Sequence, residues 1–182
     1  MTDYDKSNRS VTLANALEPF MRRGDTVLDI GCGFPSHPAF QGTLLPRWLY
    51  ERYGIAYHGI DNRAEVVTAG RLAWPWATFT LGDAATMSLC RYDVVMHLGF
   101  DRKDLSDAWK IHGRLIEAGL APRIVLLEAG SPLGKKSKHL ECWTDVQAIY
   151  EAAGYVVAAM GSYEWTAKVT QPARRYVVME KR

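Results

Sequence analysis

The sequence predicts an α/β fold: a doubly wound, mostly parallel sheet with helices on both faces. Three observations carry this. Short apolar runs of β-type residues alternate with segments of helical periodicity over most of the chain. The first run, Thr26-Val27-Leu28-Asp29-Ile30, stops on Gly31-Cys32-Gly33. Such a turn lets the backbone bend sharply and a ligand come close at the carboxyl end of a parallel strand. The next two runs also lead into acids, Asp61 and Asp83.

The elements follow in order. Residues 7–23 place Val11, Leu13, Ala14, Leu17, Phe20 and Met21 on one helical face, with Ser7 or Ser10 as cap and a break or kink at Pro19. Gly24-Asp25 turns the chain into a first strand, 26–30. Two prolines in Phe34-Pro35-Ser36-His37-Pro38 keep the next stretch a loop. A helix over 44–53 turns Leu45, Trp48 and Leu49 inward. A second strand, 57–60, ends on Asp61, and a helix over 64–73 is broken by Trp74-Pro75-Trp76. A third strand covers 77–81 and leads into Gly82-Asp83-Ala84. A fourth, 92–96, opens with Asp93 and leads into His97. Residues 104–118 form a helix closed by Gly119, and 124–127 form a fifth strand followed by Glu128. Gly134 to His139 reads as a polar loop before a helix over 144–153. The last strands, 155–160 and 176–179, have no helix between them and suit an antiparallel hairpin.

The 182 residues fit one domain, 1–182, with a flexible start over 1–9. A formal charge of +2 gives no bulk attraction for nucleic acid. No apolar run approaches the roughly 20 residues of a membrane helix, and the first ten residues have no signal-peptide core. Cys32, Cys90 and Cys142 are widely spaced and odd in number, which fits no metal pattern or disulfide frame and points to a reducing, cytoplasmic setting.

The strand ends carry the chemistry. Asp61 can accept two hydrogen bonds from ribose hydroxyls. Asp83 with the adjacent Ala84 N–H can read the amino group and a ring nitrogen of adenine. Any one such acid is as a rule a solvated strand end or a helix cap; acids at three successive strand ends point to a common ligand.

The set Val27-Leu28-Asp29-Ile30-Gly31-Cys32-Gly33, Gly59-Ile60-Asp61, Leu81-Gly82-Asp83-Ala84 and Tyr92-Asp93-Val94-Val95 resembles the class I S-adenosylmethionine-dependent methyltransferases. The resemblance covers about residues 10–180. It implies a seven-stranded, Rossmann-like sheet with an antiparallel last strand, and S-adenosyl-L-methionine as cofactor. It implies that Gly31 and Gly33 border the methionine portion and that Asp29 helps hold its amine. Asp61 would bind the ribose, and Asp83 with Ala84 the adenine. Pro35 stands where the family often has a third glycine, so Ser36 or His37 would replace the lost donor.

Methyl transfer from a sulfonium is an in-line displacement governed by alignment, with a base needed only where the acceptor must lose a proton. His97 is the candidate base, at the mouth of the site, and Glu128 can orient an acceptor hydroxyl or amine. Equally, His97 can fix the following loop and Glu128 can cap a turn. His97 with Asp101 and Asp104 could hold a divalent metal; a solvated loop is the better reading, and no metal is expected. Phe100, Tyr163 and Trp165 suit a planar or cationic acceptor, and Lys135, Lys136, Lys138 and His139 an anionic one. A core of this fold uses nearly the whole chain, so the acceptor, taking the methyl on oxygen or nitrogen, is small or a homo- or hetero-oligomeric partner completes the pocket. The alternatives are a nucleic-acid or protein methyltransferase docking through 135–139, a non-catalytic cofactor-binding subunit, or a nicotinamide oxidoreductase, against which Ser36 and Asp83 speak.

Overall fold

In a computed structural model, residues 8–35, 44–100, 105–129, 138–163 and 174–182 are described. The strands are β1 (Thr26–Ile30), β2 (Ala56–Asp61), β3 (Thr78–Leu81), β4 (Val94–Phe100), β5 (Ile124–Ala129), β6 (Tyr155–Tyr163) and β7 (Arg174–Lys181). They form one sheet in the order β3-β2-β1-β4-β5-β7-β6. The pairs from β3 to β5 are parallel, while β7 runs antiparallel to both β5 and β6. The strand order reverses between β1 and β4, which opens a crevice at their carboxyl ends.

The helices are α1 (Asn8–Leu17), α2 (Leu44–Tyr53), α3 (Ala64–Ala73), α4 (Leu105–Glu117) and α5 (Lys138–Ala152). Leu13 and Leu17 of α1, Leu45 and Leu49 of α2 and Val67 of α3 pack with Val27, Val94, Met96, Ile124 and Leu126 on one face of the sheet. Ile111 and Leu115 of α4 pack with Leu28, Ile60 and Val95 on the other, where Val146 and Tyr150 of α5 meet Val125, Leu127 and Val177. Strand side chains alternate between faces. Asp29, two residues from Val27, and Glu128, two from Leu126, therefore belong to the α1 face. His97, two from Val95, belongs to the α4 face.

Several sequence readings need correction, the flexible start over 1–9 among them, because α1 begins at Asn8 and Arg9 is buried against Glu128. The first helix ends at Leu17 rather than 23, and the break expected at Pro19 takes the form of a 3-10 turn, Glu18–Phe20, with Pro19 in its first turn, where a missing N–H is harmless. The fourth strand starts at Val94 rather than 92. Before it, the Asp93 carboxylate accepts hydrogen bonds from the Thr26 N–H (2.9 Å) and hydroxyl (2.7 Å), anchoring the start of β4 on β1. The strand then runs on through His97 to Phe100. The last helix begins at Lys138, so the expected polar loop over 134–139 already turns helical at its end.

Candidate active site

The glycine turn after β1 is built on the end of β2. The N–H groups of Gly31 and Cys32 both donate to the Ile60 carbonyl, at 2.8 and 3.1 Å, and the Gly33 N–H donates to Asp61 Oδ2 at 3.1 Å. Gly31 and Gly33 each have φ of 66°, a conformation that disfavours side chains, and a Cβ at either would meet nothing within 4 Å among the described residues. The turn thus needs glycine for its backbone and, among the described residues, leaves open space over it.

Asp61 is buried at the end of β2 and fully engaged. Oδ1 accepts from the Arg63 N–H (3.0 Å) and Nε (2.9 Å), and Oδ2 from Arg63 Nη2 (3.0 Å) and the Gly33 N–H. Burial pushes its pKa up, but the hydrogen bonds from Arg63 and the two amides outweigh it and hold the carboxyl below its ordinary value. The Arg63 guanidinium also lies 5.7 Å from the centre of the Phe34 ring.

Asp29 accepts a 2.8 Å hydrogen bond from the Tyr57 hydroxyl. Burial dominates its titration and raises its pKa to about 7; the Tyr57 bond and the Arg9 charge pull it down, while Asp61 and Glu128 push it up. These four groups are therefore electrostatic neighbours of Asp29.

Asp83 is exposed two residues beyond β3, and its Oδ1 accepts from the Ala85 N–H at 2.8 Å. The turn is clamped from α4 by Arg114, whose guanidinium donates to the Ala85 carbonyl and, at 3.0 Å, to the Met87 carbonyl. The buried Ala84 sits within this clamp. Its N–H and the second Asp83 oxygen meet no protein partner among the described residues, which suits the edge of a bound base.

The two acid–base candidates sit differently from the expectation. His97 lies inside β4, not past its end at the mouth of the site. Its Nδ1 shares a 3.2 Å hydrogen bond with Nε2 of His112 on α4, and Nδ1 of His112 shares one of 2.8 Å with the Tyr150 hydroxyl on α5. Burial lowers both imidazoles, His112 to about 3, so both are neutral at neutral pH. Glu128, the penultimate residue of β5, is fully buried, and its carboxylate takes a two-pronged ion pair from Arg9 of α1, with Arg9 Nε at 2.8 Å. His97 and Glu128 thus stand on opposite faces of adjacent strands and do not converge on one point.

The neutral pair gives a pH prediction. The unfolded chain protonates both histidines near 6.5, whereas the folded chain keeps them neutral. Their contribution is complete above about 6.5 and is lost as pH falls toward about 3. His112→Gln removes one such group. Between pH 7.5 and 5.5 the wild type should lose about 1.4 kcal/mol more stability than this variant, measured by denaturant unfolding. Parallel curves would refute it.

Sequence reasoning missed Arg9, Arg63, Tyr57 and His112. Ser36, His37, Asp101, Asp104, Lys135, Lys136 and Trp165 lie outside the described residues, as do the side chains of Phe100, Lys138 and His139. Among the described residues, no three His, Cys, Asp or Glu side chains are grouped to hold a metal ion, and no helix is long and apolar enough to cross a membrane.

No protein-family model matches the chain, and no curated protein matches it in sequence. Solved structures do match. A TehB-like SAM-dependent methyltransferase from Corynebacterium glutamicum aligns with a TM-score of 0.61 at 18% identity, covering 93% of this chain and 86% of that one. A SAM-dependent methyltransferase from Methanosarcina mazei aligns at 0.65 and 14%, covering 91% and 96%. The plantazolicin methyltransferase BamL, solved with S-adenosylhomocysteine and a triazolic desmethylPZN analog, aligns at 0.65 and 16%, covering 98% and 88%. Together with the strand order, these likenesses give the chain the class I S-adenosylmethionine-dependent methyltransferase fold.

Proposed function

We propose that the chain is an S-adenosylmethionine-dependent methyltransferase acting on an oxygen or nitrogen of a small-molecule acceptor. One observation carries the reading: Asp29, the Gly31–Gly33 turn, Asp61 and the Asp83–Ala84 edge follow one another along the carboxyl ends of β1, β2 and β3, beside the point where strand order reverses. The residues fit the cofactor part by part. Open space over the glycine turn and the buried Asp29 suit the amino-acid portion. Asp61 suits the ribose diol, and Asp83 with the Ala84 N–H suits adenine. When bound, the cofactor supplies an activated methyl group on a sulfonium.

The protein's work is then to hold the donor, align the acceptor and exclude water. His97 and Glu128 enter as positioning residues, through His112 and Arg9 respectively. A small acceptor is supported by the described residues being taken up by the sheet and its five covering helices. The free thiols of Cys32 and Cys90 agree with a reducing cytoplasm.

Calorimetric titration with S-adenosylhomocysteine and with NAD tests the cofactor, and preferential NAD binding would overturn the reading. Transfer of labelled methyl from the cofactor into a small-molecule pool tests turnover; binding without transfer to any acceptor would favour a non-catalytic subunit. Asp61→Ala removes charge-assisted hydrogen bonds worth roughly 1.5–3 kcal/mol, so affinity for S-adenosylhomocysteine should fall about 10- to 150-fold. Unchanged affinity would remove Asp61 from the site.

A further inference from the structure

We propose that Arg63 is a built-in competitor for the ribose seat and thereby sets the affinity of the cofactor site; this rests on the cofactor reading above. The inference comes from counting acceptor positions. A carboxylate offers about four, two on each oxygen. On Asp61 all four are filled: two by the backbone N–H groups of Gly33 and Arg63, two by Nε and Nη2 of Arg63. The amides are fixed by the turn and by the start of α3. Only the side-chain fork can leave. When it does, one position opens on each oxygen.

The fork also has the right pattern for a stand-in. Nε–H and Nη2–H are two parallel donors reaching the two oxygens side by side. The vicinal hydroxyls of a ribose present the same pattern to a carboxylate. Arg63 therefore occupies the positions the diol would take, and both cannot be there together.

Arg63 is also able to move. Its side chain is 50% exposed, whereas that of Asp61 is 3% exposed. The anion is held in the protein, and its partner reaches it from solvent. In the paired arrangement the guanidinium already lies 5.7 Å from the centre of the Phe34 ring, so it has an aromatic neighbour besides the carboxylate. Binding must first open the ion pair, so the measured affinity is the intrinsic one scaled by the fraction of molecules already open. A partly exposed pair of this kind lowers that fraction by about fivefold. Salt screens such a pair, so added salt should enlarge the open fraction.

The test is titration of the full chain and of Arg63→Gln with S-adenosylhomocysteine at about 50 and 500 mM NaCl, with thermal unfolding confirming that the variant folds. Arg63→Gln should bind about fivefold tighter at low salt, and the gap should narrow at high salt as the wild type gains. Wild-type binding with equal or weaker binding by the variant would overturn the competitor role and leave the cofactor reading standing. A gap that persists unchanged in salt would also overturn it, because displacement of an exposed ion pair would then not be what limits binding. No binding by either protein would overturn both.

Discussion

Arg9→Ala should destabilise the protein by about 3–5 kcal/mol, a drop in melting temperature of roughly 10 °C for a chain of this length. The reason lies at the carboxyl end of β5, on the α1 face of the sheet. Glu128 is fully buried at the end of β5, and its carboxylate is paired with the Arg9 fork brought in by α1. Removing the guanidinium takes the two-pronged partner away from a fully buried carboxylate, and that loss outweighs the loss of contacts. The counter-test is the double variant Arg9→Met with Glu128→Gln, which removes both charges and keeps the volumes close. It should recover most of the loss, because a buried pair contributes little net stability once the desolvation of both partners is counted. Denaturant unfolding of the three variants decides it. A loss below about 1 kcal/mol in Arg9→Ala would mean that the pair is screened by solvent. A double variant as unstable as the single one would mean that Arg9 acts through packing.

That pair also shows where sequence reading stops. Arg9 and Glu128 are 119 positions apart, and no local pattern links them. The apolar periodicity of residues 11–17 reveals a helix but not what its first turn touches. Local signals did well where pattern and punctuation agreed: the helices over 44–53 and 64–73 have the expected bounds, and so does β1. They fell short where composition was neutral. Ser137 just before α5 is a possible cap, but Lys138 and His139 carry no apolar signal, so the sequence pattern starts the helix only at Thr144. Reading the fourth strand as ending at Met96 put His97 beyond it, although the alternation of Val95, His97 and Gly99 against Met96 and Leu98 was open to view. Arg63 was within reach too, since an arginine two residues past a strand-end aspartate can fold back onto it.

The face a residue takes matters more here than its place in the chain. His97 and Glu128 are consecutive in strand-end order, yet the pleat sends one under α4 and the other under α1. Each is then drawn into a partner that sequence alone does not supply. The residues of the cofactor reading fare differently, because turns and strand ends are specified locally. Asp61 caps the Arg63 N–H and Asp83 the Ala85 N–H two residues on, while the links between the strand ends, such as Gly82 N–H to the Asp61 carbonyl at 3.0 Å, follow from strand pairing. Local chemistry of that sort is what a motif can encode.

Cofactor affinity should fall about tenfold for each pH unit below 7, amounting to roughly 100-fold between pH 8 and pH 5, through Asp29. Burial raises this carboxyl to about 7 in the ligand-free protein, and the Tyr57 hydroxyl and the Arg9 charge only partly offset it. The sign follows from linkage. An acid with a raised folded pKa contributes full stability below its unfolded value near 3.8, and that contribution is lost as pH rises through about 7. A cationic amine beside Asp29 reverses the preference, because it favours the ionised form. Below pH 7 the ligand must therefore expel a proton to bind, whereas above it the charge is already present. Calorimetry of S-adenosylhomocysteine in two buffers of different ionisation enthalpy should show close to one proton released per ligand at pH 6 and almost none at pH 8.5. Asp61, with its lowered pKa, stays ionised over this range, and the buried histidines stay neutral on the other face. Asp29→Asn assigns the effect: it should bind weakly at every pH and release no proton. A pH-independent wild type would separate Asp29 from the ligand's amine and leave it a structural partner of Tyr57.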